Sequence, residues 1–512
     1  MKDEHNCTVD LFVIGGGING VGIARDAAGR GLDVILCEKE DLAEGTSSRS
    51  GKLIHGGLRY LEYFEFRLVS EALKERDVLL RSAPHIIWPL RFVLLLGEGK
   101  RPSWFIRLGL FLYDHIGGNQ TLPNTTTRKL SPLKEGLKRQ FKTAYEYSDC
   151  WVDDSRLVIL SAMDAYEKGA KILPRTRCDE VTRSAGGYWR VVTTDQQGRQ
   201  TIFRSRAVVN AAGPWINDVN ERVLKFASKR RVRLVKGSHL VAKKFWQGDH
   251  AYLLQNPDKR VIFVNPYLDD LCLIGTTDVS YAGNPEDVAI DAHETKYLLE
   301  TLSRYFDDPP CESDILHAFS GVRPLFDDDS NNPSAVTRDY ELELDSVSGM
   351  TPLLNIYGGK ITTFRELSQH AMEKLKPFFP AMKPNWTVNA TLPGGDMGRD
   401  VGVFIKKVEK AYPWLPCSLV HHYVRLYGTR LFVLLEGAQA TADLGEHFGG
   451  LLYAREAEYL IRHEWALTSE DILERRTKHG LFLTNEQKQK FAQWVLVKQP
   501  SLPASNDSAM SC

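Results

Sequence analysis

Residues 9–20 read VDLFVIGGGING, and this stretch decides the fold. Val9 to Ile14 is apolar, rich in β-branched residues and ends in glycines, as a buried parallel strand does. Gly20 to Arg30 (GVGIARDAAGR) is rich in Ala and Gly, which suits a helix packed closely on a sheet, and Leu32 to Cys37 reads as the next strand. Together they make a βαβ unit. Gly15, Gly17 and Gly20 form GxGxxG at the strand-to-helix junction, with Asn19 in the first helical turn. The first glycine turns the chain, the second admits a pyrophosphate close to the backbone, and the third lets helix meet strand. Helix N-terminal amides then face the phosphates. Glu38, 18 positions after Gly20 at the end of the second strand, places a carboxylate where both ribose hydroxyls of an adenosine can donate to it. A dinucleotide site follows, but NAD and FAD share this fingerprint.

Outward from this unit, 512 residues allow two to four domains. Lys plus Arg and Asp plus Glu are both 65, so whole-chain charge gives no pull toward nucleic acid. The acidic start, MKDEHNC, lacks the basic n-region of a signal peptide, which predicts a cytoplasmic protein. No window reaches the roughly 18 apolar residues of a spanning helix. Eight scattered cysteines without CxxC spacing read as reduced thiols, not a cluster or zinc framework. From about Ser82 to Lys142 the pattern turns to Pro, aromatic and basic residues, an insertion into the βαβ fold. Tyr188–Thr194, Phe203–Asn210, Arg233–Val241, Val261–Asn265 and Leu271–Gly275 read as short strands of a second, largely antiparallel sheet. LPGGDMG (392–398) reads as a linker, and 419–439 and 451–476 as helices of a C-terminal domain.

Later segments bear on the choice of cofactor. VVNAAGPW (208–215), which contains Gly213, is a strand closing on small residues, so a second loop can approach the same dinucleotide. Gly358, Gly359 and Lys360 precede ITTFRELSQHAMEKL, a helical stretch with Thr362 in its first turn. Such an N-terminus, with a lysine beside it, can hold the negative charge that a flavin gains at N1 and O2 on reduction. Thr46, Ser47, Ser48 and Lys52 follow Glu38 closely and offer hydroxyls and a cation to the pyrophosphate or the flavin ring. The plainer alternative for them is an ordinary Ser-rich loop.

The chain also resembles a known family, the FAD-dependent glycerol-3-phosphate dehydrogenases of the aerobic, quinone-linked kind. The match is carried by IGGGINGVGIARDAAGRGL, TSSRSGKLIHGGLRYLE, EYSDCWVDDSRL, VVNAAGPW, KGSH, IGTTD, SGVRPL, TRDY and YGGKITTFR, in family order. EWALTSEDILERRTKHG resembles the family's C-terminal domain. The resemblance implies an α/β FAD-binding Rossmann-like domain of the glutathione-reductase/D-amino-acid-oxidase type, from residues 9–85, 150–230 and 345–385. It adds an antiparallel-sheet substrate domain (86–149 and 231–344), an all-helical C-terminal domain (392–498) and a disordered tail (499–512). It implies non-covalent FAD, with His55 and Gly57 added to the cofactor loops, and a phosphate pocket of Arg59, Arg323 and Arg338 beside Tyr60. His239 is the favoured base for the C2 hydroxyl of glycerol 3-phosphate and His55 its competitor, with Arg323 at the reacting centre. Dihydroxyacetone phosphate is the expected product and a membrane quinone the electron acceptor. Arg49 and Gly51 depart from the small Ala and Ser residues that usually fill this loop.

One segment points to a membrane surface. Pro102 and Ser103 open a candidate helix, WFIRLGLFLYDHI, in which Arg107 and Asp114 lie seven apart on one side of an otherwise apolar cylinder. With Trp88, Trp104, Tyr113, Arg91, Lys100 and Arg101 it fits an interfacial segment on the inner leaflet; the competing reading is a core helix under the substrate sheet. Other readings stay open as well: an oxidase that makes peroxide from oxygen, an NAD enzyme, a non-catalytic flavin-binding membrane docking protein, and a homodimer as the assembly.

Overall fold

Strand Lys2–Ile14, helix Ile18–Gly29 and strand Val34–Cys37 form the predicted βαβ unit. The computed structural model describes residues 2–96, 102–118, 121–184, 186–258, 260–327, 339–347 and 350–498. Lys100, Arg101, Arg338 and the 499–512 tail lie outside them.

Five parallel strands build the centre of an eight-stranded nucleotide sheet, in the order Lys171–Leu173, Val34–Cys37, Lys2–Ile14, Gln200–Asn210 and Met350–Gly358. Tyr340–Val347 closes one edge antiparallel. The pleat sends Leu11 and Val13 to one face, where they pack on Val21, Ile23 and Phe364, and Phe12 and Ile14 to the other, against Trp189 and Phe203. Both faces are covered, which is why this run is continuously apolar instead of alternating.

The strands Trp189–Asp195 and Gln200–Asn210, expected in the second sheet, belong to this first one. Residues 200–205 pair antiparallel with 189–194, while 208–210 pair parallel with 353–355. A three-stranded meander, Thr176–Arg183, Trp189–Asp195 and Gln200–Asn210, therefore branches from the parallel core.

The substrate sheet has ten strands, all antiparallel neighbours except Ala251–Gln255 beside Ile87–Leu95. Its long members, Val232–Lys243 and Ile315–Phe326, pair along almost their whole length. Ile87–Leu95 lies mid-sheet, with Phe92, Val93, Leu94 and Leu95 buried, so Trp88 and its neighbours are not an interfacial segment. Trp88 stacks near Trp151 with the Arg425 guanidinium over its ring. Leu53–Ile54, placed by sequence with the nucleotide domain, pairs into this sheet against Cys150 and Trp151.

Beyond residue 392 the chain is helical, in Val401–Ala411, Cys417–Tyr427, Ala454–His463 and Asn485–Lys498, with one short hairpin at 447–453. This domain has its own core of Val420, Tyr423, Tyr427 and Leu460.

Candidate active site

The C-terminal ends of the parallel strands open into a cavity of about 670 Å³ that runs from Glu38 to the substrate sheet. Its first wall is the glycine turn. Gly15 has φ +113°, and a Cβ there would stand 2.5 Å from the Ala211 carbonyl oxygen. Gly20 is out of the cavity; its missing Cβ would lie 1.9 Å from the Gly15 carbonyl oxygen, so it sets helix-to-strand contact, as its place in the motif predicts. The Ile18 N–H donates to Ser47 Oγ (3.0 Å), which holds the serine at the helix N-terminus. Glu38 accepts from the N–H groups of Gly16 (2.7 Å) and Glu40 (3.0 Å), while burial pushes its carboxyl up from the usual range.

Asn19 Nδ2 donates to the Gly358 carbonyl at 3.1 Å, and its buried Oδ1 has no hydrogen-bond partner among the described residues. Gly359, at φ +100°, lies against it. Lys360 follows, its Nζ 3.9 Å from the centre of the Tyr60 ring. Thr362 Oγ1 accepts from the His55 N–H at 3.3 Å. Thus Gly359, Lys360, Thr362, His55 and Tyr60, distant in sequence, line the cavity together, and Gly213 lines it as well.

The substrate sheet supplies the opposite wall. His239 is 2 % exposed, lies nearly parallel to the Phe319 ring at 5.0 Å, and has no hydrogen-bond partner at either ring nitrogen among the described residues. Burial, with the charges of Arg323 and Lys52, pulls its pKa down to about 3, so the imidazole is neutral. Arg323 pairs with Asp278 and donates to Thr276 Oγ1 at 2.8 Å. The Arg59 guanidinium reaches the other oxygen of Asp278 at 3.9 Å, so one carboxylate stands between two arginines.

Three glycines shape the space. A Cβ on Gly237 would strike Arg323, one on Gly275 would strike His239, and one on Gly51 would come within 3.6 Å of His239 Nε2.

Several predicted residues stand elsewhere. Lys52 is buried outside the cavity wall, its ammonium held by Asp154 (2.7 Å) and the Ser48 carbonyl (3.1 Å). Asp154 also takes both donors of Ser50, so Lys52 and Ser48 shape the loop from behind. Gly57, at φ +77°, gives Tyr60 room. Thr46 lines the cavity and donates to the Val322 carbonyl (2.6 Å). Arg49, the departure noted in sequence, donates to the Ser320 carbonyl (3.3 Å) and braces the same strand. Asp278, Thr276 and Asp154 were missed as functional residues; they sit within the quoted motifs IGTTD and EYSDCWVDDSRL, but nothing local marks their partners.

The glycine cradle, the unpartnered Asn19 Oδ1 and the Lys360 corner fit a dinucleotide with a ring system at the far end. A family model described as FAD dependent oxidoreductase matches residues 10–343, and one described as the C-terminal domain of alpha-glycerophosphate oxidase matches 385–500. The chain is 57% identical over 497 residues to a D-erythritol 1-phosphate dehydrogenase of Brucella abortus, covering 96% of this chain and 98% of that one. It is 51% identical over 497 residues to a glycerol-3-phosphate dehydrogenase of Pseudomonas aeruginosa, covering 96% of each. The fold is similar to the glycerol-3-phosphate dehydrogenase from Bacillus halodurans complexed with FAD, with a TM-score of 0.73 at 24% identity, over 97% of this chain and 95% of that one. FAD is the cofactor that the fingerprint alone left undecided, and the chain belongs to the FAD-dependent oxidoreductases, in the glycerol-3-phosphate dehydrogenase family.

Proposed function

We propose that the protein oxidises the C2 hydroxyl of glycerol 3-phosphate to the ketone of dihydroxyacetone phosphate and passes the two electrons to a membrane quinone. The observation that carries this reading is the neutral, unpartnered His239 in one cavity with Arg323. FAD held by the Gly15 turn, Glu38 and the Gly359–Lys360 corner supplies a two-electron acceptor for the C2 hydride.

The chain's residues do the rest. Arg323, with Arg59 on the far side of Asp278, presents cationic N–H groups to the phosphate. Asp278 keeps the two guanidinium groups together before substrate arrives. His239 takes the hydroxyl proton as the hydride leaves, so alcohol oxidation balances as one proton and one hydride. Burial keeps the imidazole neutral and so able to accept, and the substrate's phosphate, by offsetting the Arg323 charge that depresses the pKa, raises its proton affinity.

A second reading shares this chemistry with a longer substrate, D-erythritol 1-phosphate. It is favoured by the 57% identity to the Brucella abortus enzyme. The protein's proposed place is the cytoplasmic face of the cell membrane, which the exposed apolar side chains of Trp104, Phe105, Leu108 and Phe111 support.

Anaerobic mixing with each polyol phosphate tests the site. Glycerol 3-phosphate should bleach the flavin; Arg323→Ala should raise the KM about 30-fold or more, and His239→Gln should slow bleaching about 100-fold with flavin content unchanged. A larger kcat/KM for D-erythritol 1-phosphate would select the four-carbon reading. Bleaching by neither would overturn both. Reoxidation by air at the turnover rate, with stoichiometric peroxide, would replace quinone by oxygen.

A further inference from the structure

Away from the flavin cavity, three elements of the C-terminal domain bring their side chains to one point. His422 comes from helix Cys417–Tyr427, Glu456 from the first turn of Ala454–His463, and His479 from the turn His479–Leu481. One ligand atom of each lies within 4.8 Å of the other two. Glu456 is fully buried and His479 nearly so. Neither histidine lines the flavin cavity.

Among the described residues, hydrogen bonds leave Glu456 Oε2 in this cluster without a donor. His422 Nε2 faces both Glu456 Oε1 (2.7 Å) and His479 Nε2 (3.2 Å). A neutral imidazole has one N–H. If His422 Nε2 gives its proton to Glu456, it has no lone pair left to accept one from His479. Glu456 Oε2 then stands buried with no hydrogen-bond partner, 3.7 Å from His479 Nε2. A buried carboxylate oxygen without a donor is costly.

A cation between the three removes the conflict, since each nitrogen then offers a lone pair and both carboxylate oxygens face positive charge. Two imidazole nitrogens about 2.05 Å from a tetrahedral ion stand about 3.3 Å apart, and here they are 3.2 Å apart; Glu456 Oε1, 2.7 Å from His422 Nε2, would open by about 0.6 Å to ligate. The Tyr427 hydroxyl donates to Glu456 Oε1 at 2.7 Å, the kind of outer hydrogen bond that fixes a ligating carboxylate.

We propose that His422, Glu456 and His479 form a zinc site of three protein ligands, with water in the fourth position, that ties two helices of the C-terminal domain to the turn at 479. Two imidazoles and one carboxylate are a donor set that zinc favours, and the site adds no step to the oxidation.

The test uses the FAD-loaded enzyme, isolated without a histidine tag or metal-affinity step. Elemental analysis should find about one zinc per chain, before or after dialysis against Zn2+ alone. His422→Gln and His479→Gln keep a polar side chain and should each lower zinc content at least about tenfold. Their Tm should fall by about 3 °C or more, while FAD content and KM stay unchanged. Treating the unsubstituted enzyme with 1,10-phenanthroline should lower its Tm likewise, and Zn2+ but not Mg2+ should restore it. The proposal is overturned if the unsubstituted enzyme neither carries zinc nor gains stability with it, or if His479→Gln retains the full metal content.

Discussion

His85 has 0 % exposure, and neither ring nitrogen has a partner among the described residues. Burial, reinforced by the charges of Arg156 and Arg425, pulls its pKa down to about 3. In the unfolded chain the same imidazole titrates near 6.5. Between those values the unfolded state binds the proton and the folded state does not, so the histidine's contribution is whole above pH 6.5 and is lost as pH falls. Against His85→Gln, the unsubstituted protein should therefore lose about 1.4 kcal/mol more for each pH unit below 6.5. Paired urea titrations at pH 7.5 and 5.5 measure this; an equal stability gap at both would refute it. The same scale shows what a sequence conveys about a site. Gly15 and Glu38 were legible because the fingerprint's chemistry is local, whereas His239 and Arg323 entered only through the family resemblance. Asp278 was not legible, because its role depends on 59 and 323 reaching one carboxylate, which only strand register and loop packing bring about. Lys52 looked like a cofactor ligand by position, yet Asp154, about 100 residues away, takes its charge.

Helix Ser103–Ile116 shows the same contrast at the scale of an element. Its spacing predicted one apolar cylinder, and the structure divides that cylinder in two. Leu110 and Tyr113 turn inward, the Tyr113 hydroxyl donating to buried Asp149 and accepting from the Gly56 N–H. Trp104 (67 % exposed), Phe105, Leu108 and Phe111 (57 %) turn outward. The helix packs on the turn Leu58–Tyr63 and the helix Phe66–Ser82, which add Tyr63, Phe64 (78 %) and Phe66 to the exposed apolar residues. Large aromatics crowded on a surface mark an interaction site, and no helix among the described residues is long and apolar enough to cross a bilayer. Trp104→Asp with Phe111→Asp should abolish flotation with anionic liposomes while leaving turnover with a soluble dye unchanged. Flotation at full affinity would remove this helix as the anchor. Strand character was equally legible, in Tyr188–Thr194 and Phe203–Asn210, but sheet membership was not. Alternation reports which face is buried and says nothing about the neighbour across the hydrogen bonds.

Across the whole molecule, the C-terminal domain grips the loop that follows Glu38. Asp41, fully buried, accepts from Arg475 Nε at 2.6 Å and Arg476 Nη2 at 2.9 Å. Asp471 holds Arg475 and Arg175, each at 2.6 Å. Arg156, on the nucleotide domain's helix, pairs with buried Glu464, and Lys478 pairs with Asp153. The gripped loop also touches the fingerprint, since the Ala43 N–H donates to the Gly16 carbonyl at 3.2 Å. This network joins the docked domain to the cofactor turn, a link invisible in a sequence where Asp41 and Arg476 are 435 positions apart. Buried pairs of this kind add little over an apolar contact, yet losing one partner leaves the other charge uncompensated. Asp41→Asn should therefore cost about 3–5 kcal/mol, chiefly by leaving the fully buried Arg476 guanidinium without its paired carboxylate, since Arg475 keeps Asp471. Flavin release and loss of helical signal should still coincide on heating, both at a lower Tm, and FAD should dissociate faster at 25 °C. Adding Arg476→Met should recover much of the loss by removing the stranded charge. If Asp41→Asn instead unfolds its C-terminal helices first while FAD stays bound, the ion pairs hold the domains together without supporting the cofactor turn.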